Sequence, residues 1–282
     1  MCPSSASRTS IPSLAVSLPE PFDFGLSTER YRAFGQDLAN LWHDGGLHRV
    51  LDGREVRIEP APGGVSVASA TAELAQPVRR YLGGPFDLDA FAVFAATEPV
   101  LAEVVPALRG FRPPLVPDPF ETLVTSITAQ QISLRAAASI RNRLIETFGE
   151  RHEVAHAFPS RERLALAPPE GLVAVGFSRR KAEYVVGLAR SELDLDGLAL
   201  LPDDEVRARL VALPGIGDWT ADWFLARHLA RAGAWPAGDL ALRKAVWRFY
   251  GDDADMRAVG EHVAPFANLS AHYLLVAHRV HG

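Results

Sequence analysis

Hydrophobic and polar residues alternate over short stretches in the first third of the chain. This strand-like pattern occupies four segments, residues 13–18, 47–51, 55–59 and 65–69. Asp52-Gly53 and Gly63-Gly64 separate the last three segments and are typical of hairpin turns. Residues 27–42 and 71–82 instead carry apolar side chains three and four positions apart, which predicts helices. The first third is therefore predicted to form a small antiparallel sheet with helices on one face.

The pattern changes after Gly83-Gly84-Pro85. From there to the C-terminus apolar residues follow helical spacing, and prolines and glycines separate the segments. Helices are predicted over residues 88–95, 99–108, 119–129, 133–148, 161–166, 178–191, 203–211, 219–231, 240–249, 256–264 and 270–281. We therefore expect an α+β protein, with a small N-terminal antiparallel sheet domain over residues 1–85 and a larger all-α domain over residues 86–282.

Composition narrows the class of protein. The 282 residues, 48% hydrophobic and 22% charged, suit a globular chain of two domains. No apolar run is long enough to span a membrane, and the N-terminus lacks the charged-then-apolar order of a secretory signal. The single cysteine, Cys2, excludes intramolecular disulfides and a four-cysteine iron–sulfur cluster, and it favours a reducing, cytoplasmic location. The net charge of −5 counts against a nucleic-acid partner, although backbone N–H groups can bind phosphates without adding formal charge.

The most informative segment joins two predicted helices and reads Leu213-Pro214-Gly215-Ile216-Gly217-Asp218-Trp219-Thr220-Ala221. Gly215 and Gly217 permit a tight turn and the close approach of a ligand, while Ile216 can fill the space between the helices. The helix that follows presents free N–H groups at its N-terminus, which favour an anion such as a phosphodiester. Two glycines in a turn are equally typical of an ordinary helical hairpin. The full segment, however, resembles the helix-hairpin-helix of the DNA glycosylase superfamily.

That resemblance requires a second signal, an Asp at a helix start about twenty residues beyond the hairpin. It is present in Trp235-Pro236-Ala237-Gly238-Asp239. Asp is also a preferred N-cap residue, and the two interpretations are compatible because a cap fixes the carboxylate in space. By the resemblance, Asp239 is the catalytic carboxylate.

Other segments extend the resemblance over nearly the whole chain. The chain is similar to the bacterial 3-methyladenine DNA glycosylase II (AlkA) family in Pro21-Phe22-Asp23-Phe24, Tyr81-Leu82, Phe86-Asp87-Leu88, Pro119-Phe120-Glu121, Gln130-Gln131-Ile132-Ser133, Gly176 and Arg180-Lys181-Ala182-Glu183. This resemblance implies excision of alkylated bases, such as 3-methyladenine, at a cleft between two helical halves. It implies a base pocket lined by Trp219, Trp223, Gln130 and His278, the last at a position that is often Trp.

Two residue types refine the expected reaction. Family members that also cleave the DNA backbone carry a Lys at the position of Trp219, and a Lys amine forms the Schiff base with the sugar. This chain has only Lys181 and Lys244, so we expect a monofunctional enzyme with water as the nucleophile. Trp219 and Trp223 are four residues apart and share a helix face, where indole faces attract a cationic alkylated base. Two core tryptophans would show the same spacing.

The resemblance also implies contacts with damaged double-stranded DNA. The hairpin residues Gly215, Ile216, Gly217 and Thr220, together with Arg243 and Lys244, are expected to hold phosphates, while Gln131 fills the gap left by the flipped base. We expect a monomer associated with the bacterial nucleoid in the cytoplasm. No cofactor or metal is expected. Whether the hairpin binds a monovalent cation is left open by the sequence.

Three alternatives remain at this stage. A glycosylase for oxidised or deaminated bases would need more hydrogen-bond donors in the pocket than Trp219 and Trp223 provide. A non-catalytic helix-hairpin-helix module that only binds DNA gains nothing from a carboxylate such as Asp239 near phosphates. A protein–protein adaptor would suit the acidic balance but leaves the hairpin unexplained.

Overall fold

The N-terminal part of the protein contains the predicted sheet. A computed structural model describes residues 13–280, so Cys2 lies outside the described residues. All neighbouring strands are antiparallel, in the order β1-β5-β4-β3-β2, with β1 (Ser13–Ser17), β2 (Asn40–His43), β3 (Gly46–Leu51), β4 (Arg54–Ala61) and β5 (Gly64–Ala68). The four predicted strands are confirmed to within two residues at either end.

Two tight turns set the register of the middle strands. Asp52 and Gly53 join β3 to β4 with φ of 48° and 72°. Positive φ at both central residues gives a turn whose twist matches that of the strands. Asp44 and Gly45 join β2 to β3 in the same way, with φ of 47° and 78°. This second Asp-Gly pair makes residues 40–43 a strand, because it folds them back onto β3.

The predicted helix over residues 27–42 is wrong for that reason. The segment contains only two short helices, α1 (Phe24–Thr28) and α2 (Arg30–Ala33), before β2. Asp23 caps α1, since its side chain accepts from the Leu26 N–H at 2.8 Å. Gly35 then adopts φ of 105°, a left-handed conformation that ends the helical path. Strand pairing overrides the helical spacing of the apolar residues here.

One face of the sheet packs against helix α3. The second helix predicted in this region is present as a 3-10 turn (Ala72–Leu74) followed by α3 (Ala75–Tyr81). Strand alternation buries Val56 and Ile58 of β4 completely, and they share a hydrophobic cluster with Val78 and Tyr81 of α3. Burial of such side chains contributes roughly 1.5–3 kcal/mol each to folding.

The rest of the described chain is helical. Its helices are α4 (Leu88–Ala95), α5 (Pro99–Ala107), α6 (Pro119–Ala129), α7 (Leu134–Phe148), α8 (Arg161–Leu166), α9 (Pro169–Ala174), α10 (Arg179–Arg190), α11 (Asp203–Val211), α12 (Asp218–Arg227), α13 (Leu240–Tyr250), α14 (Met256–His262) and α15 (Ala267–Val280). Side-chain caps explain many of their starts, because an oxygen accepts from the first-turn N–H groups. The capping residues include Asp87, Asp118, Ser133, Ser160, Ser178, Asp239 and Asp255.

The largest departures from the predicted helices are at α9, α12 and α15. Helix α9 was not predicted, because its start contains Pro168-Pro169, yet Pro169 occupies the first helical position where no N–H bond is lost. Helix α12 ends at Arg227 rather than residue 231, since Ala230 takes φ of 57° and turns the chain away. Helix α15 starts three residues early, and residue 281 lies outside the described part.

The helices form two main hydrophobic clusters. One draws on α6 to α12 and contains Ile216 of the hairpin, and the other packs α4 and α5 against α15. The domain division at residue 85 stays a prediction, and Arg49 of β3 forms an ion pair with Glu121 of α6 across it. Among residues 13–280, no helix combines the length and apolarity that crossing a membrane requires.

Candidate active site

Asp239 stands at the start of α13, as predicted from the sequence. Its backbone is extended, with φ of −79° and ψ of 123°, and Oδ1 accepts from the N–H groups of Ala241 at 2.9 Å and Leu242 at 2.8 Å. A backbone hydrogen bond closes the turn before Asp239, since the Asp239 N–H donates to the Pro236 carbonyl at 2.9 Å. The local sequence thus fixes the position of the carboxylate.

The second oxygen of Asp239 is held by the two tryptophans of α12. Oδ2 accepts from Nε1 of Trp219 at 2.8 Å and from Nε1 of Trp223 at 2.9 Å. Both carboxylate oxygens therefore accept two neutral N–H donors each. No ion pair to Asp239 forms within residues 13–280. The carboxylate is held in place while its negative charge is not cancelled by a contacting cation.

The indole ring of Trp223 is not freely accessible to a cationic base. Its side chain is 1% exposed, and the Arg227 guanidinium carbon lies 3.6 Å from the centroid of its ring. The ring of His272 packs against it at 5.6 Å and 63°. The expected cation–π position on this indole is thus occupied by a cation of the protein itself. Trp219 keeps more exposure and is the more available surface for a base.

A cavity of about 710 Å³ opens beside the carboxylate. Its lining includes Asp239, Trp219, Trp223, His272 and His278. It is large enough for a flipped base, because pockets for small ligands range from roughly 300 to 1,000 Å³. His272 is the residue that the sequence did not indicate. Its neighbours come from α12, and no local motif surrounds it on α15.

Electrostatics at the buried end of the cavity keep His272 uncharged. Burial lowers the pKa of His272 well below its usual value, and the charges of Arg227, Arg30 and Arg279 act in the same direction. Its Nε2 has no hydrogen-bond partner among the described residues. His278 lies nearer the surface, and burial together with Arg248 and Lys244 lowers its pKa.

The hairpin lies between α11 and α12. Gly215 has φ of 84°, and a Cβ there would lie 2.2 Å from the Tyr184 ring, so glycine is required. Ile216 is 5% exposed and fills the core, as expected. Gly217 is extended rather than left-handed, and a Cβ on it would meet no atom within 4 Å. That open space lies directly before the N-terminus of α12, where an anion can approach the amides.

Comparison with known proteins agrees with this arrangement. The model of the HhH-GPD superfamily of base excision DNA repair proteins matches residues 124–264. The chain belongs to this superfamily. A probable bifunctional transcriptional activator/DNA repair enzyme AlkA of Mycobacterium tuberculosis is 37% identical over 66% of this chain and 38% of its own length. DNA-3-methyladenine glycosylase 2 of Escherichia coli is 35% identical over 48% of each chain.

A solved structure matches over almost the whole length. The 3-methyladenine DNA-glycosylase from Archaeoglobus fulgidus has a TM-score of 0.83 and 27% identity, covering 95% of this chain and 98% of that one. The chain spans 38% of the length of the relative from Mycobacterium tuberculosis and 48% of the length of the relative from Escherichia coli. The shared architecture is therefore an α+β fold with the superfamily's hairpin, and the expected fold class is confirmed.

Gln130 occupies a different place from the one the family resemblance implies. Its Nε2 donates to the Gly215 carbonyl at 2.9 Å and to Oγ1 of Thr220 at 3.2 Å, and it is absent from the cavity lining. Gln130 thus braces the superfamily hairpin and does not line the cavity beside Asp239. Thr220 is 1% exposed, so its hydroxyl is not available to a phosphate, and only the backbone near it can serve that role.

Gln131 lies at the tip of the turn between α6 and α7. It is exposed and adopts φ of 56°, which Gln rarely does. Lys181 supports this turn, since its Nζ donates to the carbonyls of Thr128 at 2.9 Å and Gln130 at 2.6 Å. Both Arg243 and Lys244 are exposed on α13. Neither of the two lysines of the chain lines the cavity.

The far end of the cavity carries a buried ion network. Glu121 accepts from Arg49 at 2.6 and 3.2 Å and from Arg141 at 2.6 Å, and Arg141 also contacts Asp37. Burial alone would raise the pKa of Glu121, but the charges of Arg49 and Arg141 lower it. Because Arg49 belongs to the sheet and Glu121 to α6, this network ties the sheet to the helices.

Proposed function

We propose that this protein is a monofunctional DNA glycosylase that hydrolyses the N-glycosidic bond of alkylated bases in double-stranded DNA. The observation that carries the proposal is the Asp239 carboxylate, held by four neutral N–H donors beside a base-sized cavity and next to the superfamily hairpin. The names of the relatives from Escherichia coli and Archaeoglobus fulgidus support alkylated bases as the substrate class.

The geometry favours an electrostatic role for Asp239. Glycoside cleavage passes through a transition state with positive charge on the sugar, and a nearby carboxylate stabilises that charge. Each oxygen of Asp239 already accepts two hydrogen bonds, which leaves little capacity to take a proton from water. The carboxylate therefore acts mainly through its charge, and water adds to the sugar carbon. A base alkylated on a ring nitrogen is already cationic and leaves without a general acid.

The lysines support a reaction that stops at base release. A bifunctional enzyme needs an amine that reaches the sugar carbon. The Lys181 amine is engaged by two backbone carbonyls, and Lys244 is exposed on α13. Trp219 stands at the position where the resemblance implies a lysine in bifunctional relatives.

DNA is the proposed partner. The amides at the start of α12, next to Gly217, are suited to a phosphate, with Arg243 and Lys244 as further candidates. Gln131, exposed at the tip of its turn, is the proposed residue that fills the gap left by the flipped base. Its side chain would do so by hydrogen bonding.

The test is base release from a duplex treated with a methylating agent, followed by chromatography of the free bases. Wild type is expected to release methylated purines, and Asp239→Ala is not. Asp255→Ala is the matched control, because Asp255 caps α14 through two first-turn N–H groups as Asp239 caps α13, but lies outside the cavity. Loss of activity in both variants would indicate lost folding instead of lost chemistry.

A second readout tests the monofunctional reaction. Borohydride reduction traps a Schiff base, so no covalent protein–DNA product is expected. A trapped product would contradict the reaction with water. If wild type binds DNA but releases no methylated base, another lesion class or a pure binding module becomes the better interpretation.

A further inference from the structure

Arg227, which is half-buried, differs from the buried arginines of the described residues. Arg49 and Arg141 are paired with Glu121, and Arg112 donates to the carbonyls of Phe86 at 2.6 Å and Pro19 at 3.1 Å. Within residues 13–280, Arg227 makes no side-chain hydrogen bond or ion pair, and its Nε is buried. A buried charge without a partner is costly. Since its guanidinium lines the cavity, an acceptor can come from a bound molecule.

The position of Arg227 limits which part of a nucleotide could be that acceptor. The guanidinium stacks on Trp223, which with His272 is among the most buried residues of the lining. A flipped nucleotide enters a pocket base first, so its phosphates stay at the mouth. The group that reaches Arg227 is therefore the base.

The charges near this end of the cavity are of both signs. Arg227 and Arg30 both line it, Arg279 is paired with Glu29, and the Asp239 carboxylate also acts on Arg227. Burial and the charge of Arg30 lower the pKa of Arg227 to about 9, which still leaves it protonated at neutral pH. A cationic base that contacted the guanidinium itself would meet like charge. A base with a carbonyl oxygen would instead accept from guanidinium N–H groups, the donors that Trp219 and Trp223 cannot supply.

We propose that Arg227 determines specificity by donating to the carbonyl of an uncharged lesion base and stabilising its negative charge as the bond breaks. The proposal rests on the proposed glycosylase function and extends it to uncharged bases. When the bond between the sugar carbon and the base nitrogen breaks, the electron pair stays on the base. The sugar cation forms beside Asp239, and water adds to it. The proton released from that water neutralises the base anion, giving an abasic site and the free base.

The test uses two duplexes, one with a single 3-methyladenine, which is cationic and has no carbonyl, and one with a single hypoxanthine, which is uncharged and carries a carbonyl. Single-turnover release is measured for wild type, Arg227→Gln and Arg227→Lys. We expect Arg227→Gln to lower the hypoxanthine rate relative to the 3-methyladenine rate by about 10- to 100-fold. Arg227→Lys retains the charge and should restore most of that ratio.

Arg209→Gln is the matched control, since Arg209 is exposed and, among residues 13–280, pairs only with Glu205 on its own helix. Thermal unfolding of each variant measures the folded fraction. An equal loss of rate for both bases in Arg227→Gln would indicate a structural role through Trp223, and wild-type rates for both bases would indicate no role; either result overturns the assignment alone. Release of neither base by wild type overturns the proposed function and this assignment with it.

Discussion

Two carboxylates line the same cavity and are held in opposite ways. Glu121 accepts from the guanidinium groups of Arg49 and Arg141, so its charge is cancelled where it lies. Asp239 accepts from two indoles and two backbone amides, none of which is charged. Neutral donors fix a carboxylate in position and leave its charge available to a positive transition state.

The difference in hydrogen-bond donors separates a carboxylate that stabilises the fold from one that can act on a substrate. A buried ion pair joins parts of a fold, and removing one partner leaves an uncompensated charge. The ion pair between Glu121 of α6 and Arg49 of β3 joins the helix to the sheet in this way. Among residues 13–280, Asp239 has no such partner, and it faces a cavity that can take a base. Substitutions of the two carboxylates should therefore have different effects, and the proposed catalytic role belongs to Asp239 alone.

The largest effect is expected from Asp239→Asn. Asn caps helices as well as Asp does, so folding is retained, but the negative charge is lost. Single-turnover base release should fall by about 10³-fold. Asp255→Asn, the same change at the cap of α14, should leave the rate unchanged. A comparable loss in both variants would contradict a specific role for Asp239.

Glu121→Gln should act on stability instead. It leaves Arg49 and Arg141 buried without their shared counter-charge, which should cost about 3–5 kcal/mol in the free energy of unfolding. Urea denaturation measures this change. The control is Glu205→Gln, which breaks an exposed pair with Arg209 and should cost less than about 1 kcal/mol. Equal effects of the two substitutions would show that the buried network is not what ties the sheet to α6.

Smaller rate effects are expected from the indole donors. Trp219→Phe and Trp223→Phe each remove one N–H bond to Oδ2 of Asp239 and should lower base release by about tenfold. Trp247→Phe is the control, since its Nε1 donates to the Ala254 carbonyl at 3.3 Å, away from the carboxylate. A wild-type rate in Trp219→Phe would show that this indole does not hold Asp239 in its active position.

The smallest effect concerns Asp118, beside Glu121 at the start of α6. Burial, and then the charge of Glu121, raise the pKa of Asp118 from 3.8 to about 6. The folded state therefore prefers the protonated form, and stability is lost as the pH rises through 6. Asp118→Asn keeps the cap without the charge and should gain about 1–3 kcal/mol relative to wild type between pH 4 and 7.5. Urea titrations at both pH values measure this difference, and a difference independent of pH would contradict it.

Local signals explain what could be predicted from the sequence. The hairpin at Gly215 and the cap at Asp239 are encoded by neighbouring residues, because a left-handed turn and an N-cap each depend on one or two positions. The strands after residue 46 follow from alternation and Asp-Gly turns in the same way.

Contacts between distant segments explain what could not. The role of His272 depends on its packing against Trp223, and His272 comes from a helix far along the chain. Gln130 turns toward the hairpin because the Gly215 carbonyl lies within reach, which no spacing within α6 reveals. The network of Glu121 likewise joins residues 72 positions apart.

The most direct test compares Asp239→Asn and Glu121→Gln on the same methylated duplex. Release of methylated purines is measured under single-turnover conditions, and each rate is divided by the folded fraction of that variant. We expect Asp239→Asn to be folded, to bind the duplex and to release bases about 10³-fold more slowly, while Glu121→Gln keeps a rate near that of wild type per folded molecule. A wild-type rate in Asp239→Asn would contradict the assignment of the catalytic charge to Asp239.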